Sequence, residues 1–565
     1  MTQMVEDLKS KGILEAPIQM EPGFFSKMFL IKKSDGGLRP IFDLRALNTY
    51  VATKHFYLIS QVDVVSFLQA NDWLVKIDLH QAYFHLCVSE THRRFLRVVY
   101  NGEILQLTAL PFGLSSAPRT FAAVSNWVAE ILRQRGVRLL VYLDDYLLAC
   151  QDRSKLLVQV AETLATLESL GWHVNYKKSV TEPTQSLEYL GLIWNTQVQT
   201  VALPTQKVRG IKNFLTNILN RNSCSLRELQ RVLGMLNFAN HAVPHGRLHC
   251  RNAQLFLRKF TRRGQKVVIC PSVREDLLWW LKAIESSSTP LHRKEVTHFL
   301  TTDAADAGWG AHLNSQYLAG RWGPNQRRWH SNLKEMYAVF AVIRSQGSRL
   351  RDANILVQSD NRTLVAYIRN QGGTRSRNLL GLTTRLLELT YQFNITLTAY
   401  HLPGNLNGIA DCLSRGKPVP EWHLLPPATE AVFKRWGMPE IDLFATRETA
   451  VVRNYVTQDM RDDAALFYDA FSRKWEYRVA WVFPPPNLIP RVLAHLNTAK
   501  GTFYIIAPQW TQCFWFPDLE ARALSPPLLI KNLKEVLVDW TTGSSPPQVD
   551  KLVLQAWKVG GGKIK

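Results

Sequence analysis

Three aspartates at the ends of apolar, β-rich runs are the first residues in this sequence that could do chemistry. Asp144 and Asp145 stand side by side in RLLVYLDDYLLAC, and Asp78 ends a second such run in WLVKIDLHQAY. Adjacent carboxylates repel each other and are costly to remove from water. Either the Asp144–Asp145 pair lies at a solvated hairpin turn, or the three carboxylates converge on one or two hard divalent cations, typically Mg²⁺, that bridge substrate phosphates.

A second set of acids occupies four separate positions farther along the chain. Asp303 ends the β-like run HFLTTD, Glu335 begins the amphipathic pattern of LKEMYAVFAVI, Asp360 follows the run ILVQS, and Asp411 begins a helical pattern in NGIADCLSR. One acid at a strand end carries little information by itself. The four acquire meaning as an ordered set.

Regular elements must position these acids, and 565 residues are enough for several domains. The chain is 46% hydrophobic, 10% aromatic and 20% charged, which is typical of folded globular proteins and excludes a largely disordered, collagenous or coiled-coil chain. From Gly12 to Leu203, short β-rich runs alternate with helical stretches such as 121–133 and 155–170, which predicts an α+β layout. A further mixed segment spans about 296–416, and a Pro-rich connector follows it.

The charge of the chain is strongly positive. Lys and Arg number 68 against 46 Asp and Glu, a net charge of +22 that is typical of proteins that bind polyanions such as nucleic acid. Residues 201–270 contain 13 Lys or Arg and a single acid, Glu228, in segments of helical periodicity. These residues form either solvated helix faces or a surface that grips phosphates, and the one-sided sign favours the phosphate surface.

Cysteine usage and apolar patterning indicate an intracellular protein. The seven cysteines are widely scattered and never spaced as CxxC, which argues against a disulfide framework or a zinc knuckle. The N-terminus lacks the apolar core of a secretory signal. No run of 18 uncharged apolar residues occurs, so no membrane span is predicted. We therefore expect the protein in the cytoplasm, the nucleus or both.

The first three acids, with LPFGLSSAPRTF between them, resemble motifs A, B and C of reverse transcriptases. IKKSDGGLRPIFDLRALN resembles the fingers segment of these enzymes, and GWHVNYKKS and LEYLGLIW resemble the two motifs that close the palm. The resemblance implies a right-hand polymerase with fingers, palm and helical thumb. Asp78 and Asp144 would be the chief ligands of two Mg²⁺ ions, for which Mn²⁺ could substitute, and Asp145 the third acid. Either Lys177 or Lys178 would be the basic residue near the pyrophosphate.

The same resemblance assigns substrate contacts. Lys33 and Arg39 would contact the triphosphate. Tyr83 matches the bulky gate that stacks under the sugar and excludes a 2′-hydroxyl, and its alternative role is that of a core aromatic. Phe112 stands where retroviral enzymes often have Gln, a departure shared by several retrotransposon groups. Gly113 would shape the turn near the templating base.

The four later acids, in their order, resemble those of ribonuclease H. This resemblance implies an RNase H-like α/β domain in which the four acids jointly hold two Mg²⁺ ions and hydrolyse RNA in an RNA–DNA hybrid. His401, ten residues before Asp411, matches a mobile loop histidine that assists proton transfer or product release. A histidine of this kind is, taken alone, more often structural.

Three segments resemble the sequences of DIRS-like retrotransposons, a group related to gypsy-type elements: GFFSKMFLIKKSDGGLRPIFDLRALN, HLPGNLNGIADCLSR and IDLFATRE. The resemblance covers roughly residues 12–530. It implies an RNA template, a DNA primer, the RNA–DNA hybrid and deoxynucleoside triphosphates as partners. Outside this chain it also implies an element-encoded tyrosine recombinase and a capsid-like protein.

In that group the segment after ribonuclease H resembles an adenine methyltransferase of the Dam type, whose signature is Asn or Asp, two prolines and an aromatic residue. The corresponding stretch, 482–486, reads VFPPP, so Phe483 replaces the polar residue and Pro486 the aromatic one. There is also no convincing Gly-rich turn for S-adenosylmethionine. We therefore expect a degenerate Rossmann-like remnant. The aromatic residues of 510–516 could stack on bases or, more commonly, pack in a core.

The expected fold is a multidomain chain of α+β and α/β type with five segments. They are fingers and palm (1–202), a basic helical thumb and connection (203–294), a ribonuclease H domain (295–417), the methyltransferase-like remnant (430–540) and a flexible tail (541–565). The expected function is RNA-directed DNA polymerase with ribonuclease H activity on retrotransposon RNA. The alternatives are a domesticated, catalytically silent nucleic-acid-binding protein and a chain with one active domain. All seven acids are present, which argues against decay, because buried convergent carboxylates are destabilising without a cation.

Overall fold

The computed structural model describes residues 2–564 except 20, 33–37, 263, 286–287, 293–294, 405–406, 418, 461 and 547–548. The chain forms two compact units. The first consists of Met1–Pro244 and Leu277–Arg293, and the second of His245–Asp276 and Lys294–Lys565. The predicted thumb and connection, 203–294, is therefore not one body, since its residues are divided between the two units.

A five-stranded sheet lies nearest the N-terminus of the first unit. Its strands are, in spatial order, Leu14–Glu15, Glu103–Leu107, Arg97–Tyr100, Phe25–Lys32 and Leu38–Asp43. Helix Thr2–Ser10 places Val5 and Leu8 three residues apart on one face, and both are buried in a core with Phe42 and Leu105.

The second sheet of this unit, here the Asp78 sheet, contains the first set of predicted acids. Its strands are, in spatial order, Leu139–Tyr142, Asp145–Cys150, Trp73–Asp78 and Val180–Thr184. Helices Ala117–Gln134 and Arg153–Ser169 share its apolar core, and Phe121, Val128 and Leu132 recur at helical spacing on the buried face of the first helix. The first helix extends the predicted stretch 121–133 at both ends, and the second begins two residues before and ends one residue before the predicted 155–170.

The remaining elements of the first unit are short strands and helices. A third sheet has the order Ser186–Tyr189, Leu192–Asn195, Thr200–Ala202 and Ser288–Pro290. The other elements are strand Ser223–Ser225, the 3₁₀ turn Ala82–His85 and helices Arg45–Asn48, Gln61–Phe67, Glu90–Arg93, Thr205–Arg221 and Leu226–Ala239. Helix Pro271–Ala283 contributes residues to both units.

The second unit contains a five-stranded mixed sheet, here the Asp303 sheet. Its order is Gln316–Arg321, Gly308–Leu313, His298–Ala304, Asn354–Ser359 and Thr396–His401. Among the first three strands, each neighbouring pair is antiparallel, whereas the last two strands run parallel to His298–Ala304. Its helices are Pro324–Arg327, Ser331–Gln346, Arg362–Arg369, Arg377–Gln392 and Gly408–Ser414.

A second sheet in this unit, the C-terminal sheet, has the order Ile441–Asp442, Glu476–Val482, Lys500–Pro508, Leu554–Gly560 and Leu528–Leu529. The first three strands are parallel, and Leu554–Gly560 pairs antiparallel with Lys500–Pro508 over seven residue pairs. The prediction of a flexible tail over 541–565 is therefore wrong. Ala556, Trp557 and Val559 are at most 4% exposed, so this strand is part of the core.

The other elements of the second unit flank these two sheets. Its paired short strands are Trp422–Leu424 with Leu537–Asp539, and Val456–Thr457 with Phe467–Tyr468. The remaining elements are strand Lys266–Val268, helices Arg251–Phe256, Pro426–Trp436, Ile489–Leu496, Phe516–Ala521 and Leu533–Val536, and 3₁₀ turns Leu248–Cys250, Leu257–Lys259, Ala470–Ser472, Pro486–Leu488 and Val549–Lys551. Among the described helices, none combines the length and the apolar character that crossing a membrane requires.

Candidate functional sites

The first candidate site lies where two neighbouring strands of the Asp78 sheet have acids at the same end. Asp78 ends one strand and lies directly opposite Asp145, which begins the next. Asp144 occupies the two-residue turn that precedes Asp145. The structure thus brings the three predicted acids to one end of one sheet.

The turn that holds Asp144 has an unusual backbone. Leu143 has a φ of 54°, a left-handed conformation that glycine ordinarily adopts at this position of a tight hairpin. The hydroxyl of Ser125, a fully buried residue of helix Ala117–Gln134, donates a hydrogen bond of 2.8 Å to the Leu143 carbonyl. This bond holds the strained turn, and therefore Asp144, against the sheet.

Charge is crowded at this sheet end. Burial raises the pKa of Asp145 to about 6, with Lys76 opposing the shift and Asp144 adding to it. Burial also raises the pKa of Asp144, and the charge of Asp78 adds to that shift. Asn175 Nδ2 donates to Asp78 Oδ1 at 2.9 Å. Carboxylates that resist ionisation at this end of the sheet are suited to a divalent cation, which would remove their mutual repulsion.

The three acids do not form a tight ligand cluster by themselves. Within the part of the chain that the structure describes, they are absent from the one acidic group whose ligand atoms all lie within 4.8 Å. Lys76 Nζ lies 3.4 Å from Asp145 Oδ1 and neutralises it. Of the two lysines that the sequence left open, Lys178 lowers the pKa of Asp144 by its charge, which places it, rather than Lys177, electrostatically close to the acids.

Tyr83 lies beside these acids in the 3₁₀ turn Ala82–His85. Its half-buried ring packs against Phe112 and Phe121, with centroids 4.7 and 5.4 Å apart. Burial raises the pKa of Tyr83, and the charge of Asp144 adds to the shift. Tyr83 is therefore both a packed aromatic and a neighbour of the acids, so the two roles open at the level of sequence are compatible.

Gly113 adopts a φ of 103°, and a Cβ at this position would lie 3.0 Å from the carbonyl oxygen of Phe42. Asn48 Nδ2 donates to the Gly113 carbonyl at 2.9 Å. The positive φ and the close approach to Phe42 therefore favour glycine at position 113.

Lys33 lies outside the described residues, as does the side chain of Arg39, so their predicted triphosphate contacts stay predictions.

The second candidate site gathers acids from three elements of the Asp303 sheet. Asp303 lies in strand His298–Ala304, Glu335 in helix Ser331–Gln346, and Asp360 directly after strand Asn354–Ser359. Their ligand oxygens all lie within 4.8 Å of one another.

The carboxyl groups of this cluster disfavour one another's ionisation. Burial raises the pKa of Glu335 to about 9, and the charges of Asp303 and Asp360 add to the shift. Glu335 Oε2 is buried and has no hydrogen-bond partner among the residues that the structure describes. Burial also raises the pKa values of Asp303 and Asp360. Two buried carboxylates and one half-buried carboxylate at this spacing fit a hard divalent cation, which binds oxygen ligands.

Asp411, the fourth predicted acid, lies at the rim of this cluster. It is in helix Gly408–Ser414, and Arg415 Nε donates to its Oδ1 at 2.7 Å. Asp411 is not among the three acids whose ligand oxygens lie within 4.8 Å of one another. Its charge nevertheless raises the pKa values of Asp303 and Asp360.

His401 ends strand Thr396–His401 and pairs in register with Ser359, the residue before Asp360. Its positive charge lowers the pKa of Asp360, so the two side chains are close enough to interact electrostatically. The loop after His401 also approaches the cluster, since a Cβ at Gly404 would lie 3.0 Å from Asp360 Oδ2. His401 thus lies near Asp360, at the end of a strand rather than in a loop, and its role in proton transfer or product release stays a prediction.

Sequence reasoning missed several side chains that hold these acids. Ser414 Oγ donates to Asp303 Oδ2 at 2.5 Å, and the buried Asn407 Nδ2 donates to the Thr302 carbonyl at 2.9 Å. Asn361 Oδ1 accepts from Leu364 N at 2.9 Å, which begins a helix directly after Asp360. The sequence signals that could have found them are Asn before a helix and Ser one turn after Asp411.

The stretch VFPPP lies at the end of strand Glu476–Val482. Phe483 packs against the apolar core of the C-terminal domain, residues 422–562 of the second unit. The acid of IDLFATRE, Asp442, is buried, and its two oxygens accept backbone N–H bonds from Phe444 and Val451. Burial raises the pKa of Asp442 to about 7. Its role is therefore to close a loop.

Comparison with known proteins adds family information to this geometry. Residues 31–194, which include the three acids of the Asp78 sheet, match the family described as reverse transcriptase (RNA-dependent DNA polymerase). The chain is 22% identical over 436 residues to a putative enzymatic polyprotein of Cassava vein mosaic virus, covering 73% of this chain and 64% of that protein. It is also 22% identical over 444 residues to the Transposon Tf2-3 polyprotein of Schizosaccharomyces pombe, covering 73% and 30%. The chain thus spans less than two thirds of the length of these relatives.

Among solved structures, the foamy viral protease-reverse transcriptase in complex with double-stranded DNA is similar, with a TM-score of 0.47 and 18% identity over 71% of this chain and 69% of that one. The complex with an RNA/DNA hybrid has a TM-score of 0.46 and 17% identity over 71% and 53%. By its sequence, the segment 31–194 matches reverse transcriptases, and the chain is similar to polyproteins of retroelements and of a pararetrovirus.

Proposed function

We propose that this chain is an RNA-directed DNA polymerase with a ribonuclease H site, copying the RNA of a retroelement into DNA. The observation that supports it most is the pairing of Asp78 with Asp145, with Asp144 in the adjoining turn, inside the matched segment 31–194. The finer assignment to DIRS-like elements rests on the sequence resemblance. So do the element's tyrosine recombinase and capsid-like protein as further partners.

In the polymerase, Asp78 and Asp144 would hold the cations, and Asp145 would be the third acid. When bound, two Mg²⁺ ions supply the charge that activates a primer hydroxyl and stabilises the leaving pyrophosphate. Lys178 would contribute positive charge near that pyrophosphate, since it already lowers the pKa of Asp144. The Tyr83 ring, fixed by Phe112, would lie under the incoming sugar.

In the nuclease, Asp303, Glu335 and Asp360 would hold the cations, with Asp411 at the rim. Glu335 must lose its proton when a cation binds, because burial raises its pKa to about 9 in the free protein. His401 would assist proton transfer or product release beside Asp360. RNA in a hybrid made by the first site would be the substrate of the second.

Nucleic acid would be held mainly through its phosphates. In the first unit, the exposed Arg209 and Arg227 lie on helices Thr205–Arg221 and Leu226–Ala239, whose other cations include Arg231, stacked over Phe214 at 4.6 Å. Binding by such cations weakens as salt rises.

A catalytically silent nucleic-acid-binding protein is the second candidate. The ion pair between Lys76 and Asp145 supports it, because this pair neutralises one acid without a cation. The two candidates differ in whether the bound hybrid is extended and cut.

The test is extension of a labelled DNA primer on an RNA template with Mg²⁺ and deoxynucleotides, with the RNA strand followed in the same reaction. We expect extension and RNA cleavage, both abolished by EDTA. Salt-sensitive binding of the hybrid with neither activity would contradict the proposal and support the silent binder.

A further inference from the structure

One face of the Asp303 sheet has a row of polar side chains, most of which are buried. Register places His312 opposite Thr301, Thr301 beside Gln358, and Gln358 beside Tyr400, so the row crosses four strands on one face. Thr301, His312 and Gln358 are at most 2% exposed. Polar groups buried this deeply need hydrogen-bond partners.

The partners come from the C-terminal domain. Asn487, 4% exposed in the turn Pro486–Leu488, donates from Nδ2 to His312 Nδ1 at 2.7 Å. The main-chain carbonyl of Asn487 accepts a bond of 3.1 Å from Gln358 Nε2, which also donates to Thr301 Oγ1 at 3.3 Å. Burial lowers the pKa of His312 to about 4, so this ring is neutral and its Nδ1 can accept. One residue therefore bonds to the strands on both sides of Thr301.

A second contact lies at the edge strand that ends in His401. The ring of Phe514 stacks on Tyr400, with centroids 4.3 Å apart and planes 25° apart. Leu402 is 1% exposed and belongs to the apolar core of the C-terminal domain. The residues on both sides of His401 therefore contact that domain, and Arg369 of helix Arg362–Arg369 also lies over the Tyr400 ring, at 4.7 Å.

The contacts at Thr301 and Gln358 are made two residues before the acids, along the same two stretches of chain. Thr301 and Gln358 precede Asp303 and Asp360 by two residues each, a distance of about 7 Å along a strand. Because side chains alternate along a strand, Thr301 and Asp303 lie on the same face of the sheet. We propose that the C-terminal domain supports the strands that carry the nuclease site. Asn487 and Phe514 would be positioning residues for the carboxylates of that site and for His401. This rests on the nuclease function proposed above. It gives the methyltransferase-like remnant a purpose that needs no methyl transfer.

The experiment uses the full chain and two variants. Asn487→Leu keeps the side-chain size but removes the amide that donates to His312 Nδ1 and Thr301 Oγ1, while the main-chain carbonyl that accepts from Gln358 remains. We expect the kcat of RNA cleavage to fall about tenfold or more. Phe514→Ala removes a ring that is 37% exposed, so folding should tolerate it, and the same kcat should fall about threefold to tenfold. The KM for hybrid should change less than about twofold, because neither residue would touch the substrate. Phe514→Tyr keeps the stack and should restore kcat.

Two internal references separate positioning from general damage. Primer extension belongs to the other unit and should be unchanged in every variant. Trp540→Ala, at a residue that is 49% exposed in the same C-terminal domain, should leave cleavage unchanged. Cleavage at the wild-type rate in Asn487→Leu and Phe514→Ala, or equal loss of cleavage and extension, would overturn the inference.

Hydrogen exchange keeps the inference testable without activity. Both variants should exchange faster than wild type over strand Thr396–His401, and unchanged exchange there would overturn the inference. A wild-type chain that cuts no hybrid would refute the proposed nuclease, while the exchange result would still decide whether the C-terminal domain supports this strand.

Discussion

Glu335→Gln should stabilise the protein in the absence of a metal ion and remove most of its stabilisation by Mg²⁺. Glu335 is 6% exposed between two other acids, and its pKa is raised from 4.5 to about 9. The folded chain therefore keeps a proton that the unfolded chain releases between these pH values. Unfolding free energy consequently falls as pH rises through this range.

The size of this effect follows from the pKa difference. At pH 7.5 the retained proton costs about 4 kcal/mol relative to a carboxyl of ordinary pKa. An amide cannot ionise, so Glu335→Gln removes that dependence on pH. A cation at 100 times its dissociation constant would return about 2.7 kcal/mol to the wild type, and the variant should gain less because it lacks a charged ligand.

The assay is differential scanning calorimetry of the full chain in EDTA at pH 5.5 and 8.5. The wild-type transition of the second unit should fall by several degrees more than that of Glu335→Gln. Glu388→Gln is the matched control, because Glu388 is exposed on a neighbouring helix. If wild type and Glu335→Gln lose the same stability between the two pH values, the account of a buried Glu335 that resists ionisation is refuted.

Two further substitutions test the surroundings of the acids. Gly404→Ala places a Cβ 3.0 Å from Asp360 Oδ2 and should lower RNA cleavage about threefold to tenfold, whereas Gly408→Ala, with nothing within 4 Å, should not; equal rates would contradict the close approach of the loop. Lys178→Ala should slow primer extension about tenfold in a single-turnover assay, because its charge acts on Asp144, whereas Lys177→Ala should stay within about twofold. A larger loss in Lys177→Ala would reverse that assignment.

The positions of the acids could be predicted because they follow local rules. Asp78, Asp145, Asp303 and Asp360 each lie within one residue of a strand end, and apolar β-rich runs identify such strands. Glu335 is found from helical periodicity in the same way.

The partners of the acids could not be predicted, because they depend on tertiary packing. Ser414 reaches Asp303 across 111 residues of sequence, and Asn175 reaches Asp78 across 97. The approach of Lys76 to Asp145 depends on the register of two strands, which no local pattern specifies. Tight packing of this kind sets the pKa values, so the electrostatics of both sites emerge only from the structure.

The misassigned tail has a local cause. Proline and glycine flank LQAWKVG and are typical of flexible ends, but the apolar residues within it match the core positions of a strand. The strand forms because Lys500–Pro508 offers a free edge for pairing. The divided thumb has a tertiary cause, since helical periodicity predicts helices without stating which unit they join.

Separate inactivation of the two sites tests the central claim most directly. Asp144→Asn and Asp360→Asn are compared with wild type in one reaction that follows both primer extension and RNA cleavage. The account predicts that Asp144→Asn loses extension and still cuts RNA in a preformed hybrid, whereas Asp360→Asn extends the primer and leaves the RNA intact. Loss of both activities in either variant, or survival of both, would contradict two independent metal-dependent sites in this chain.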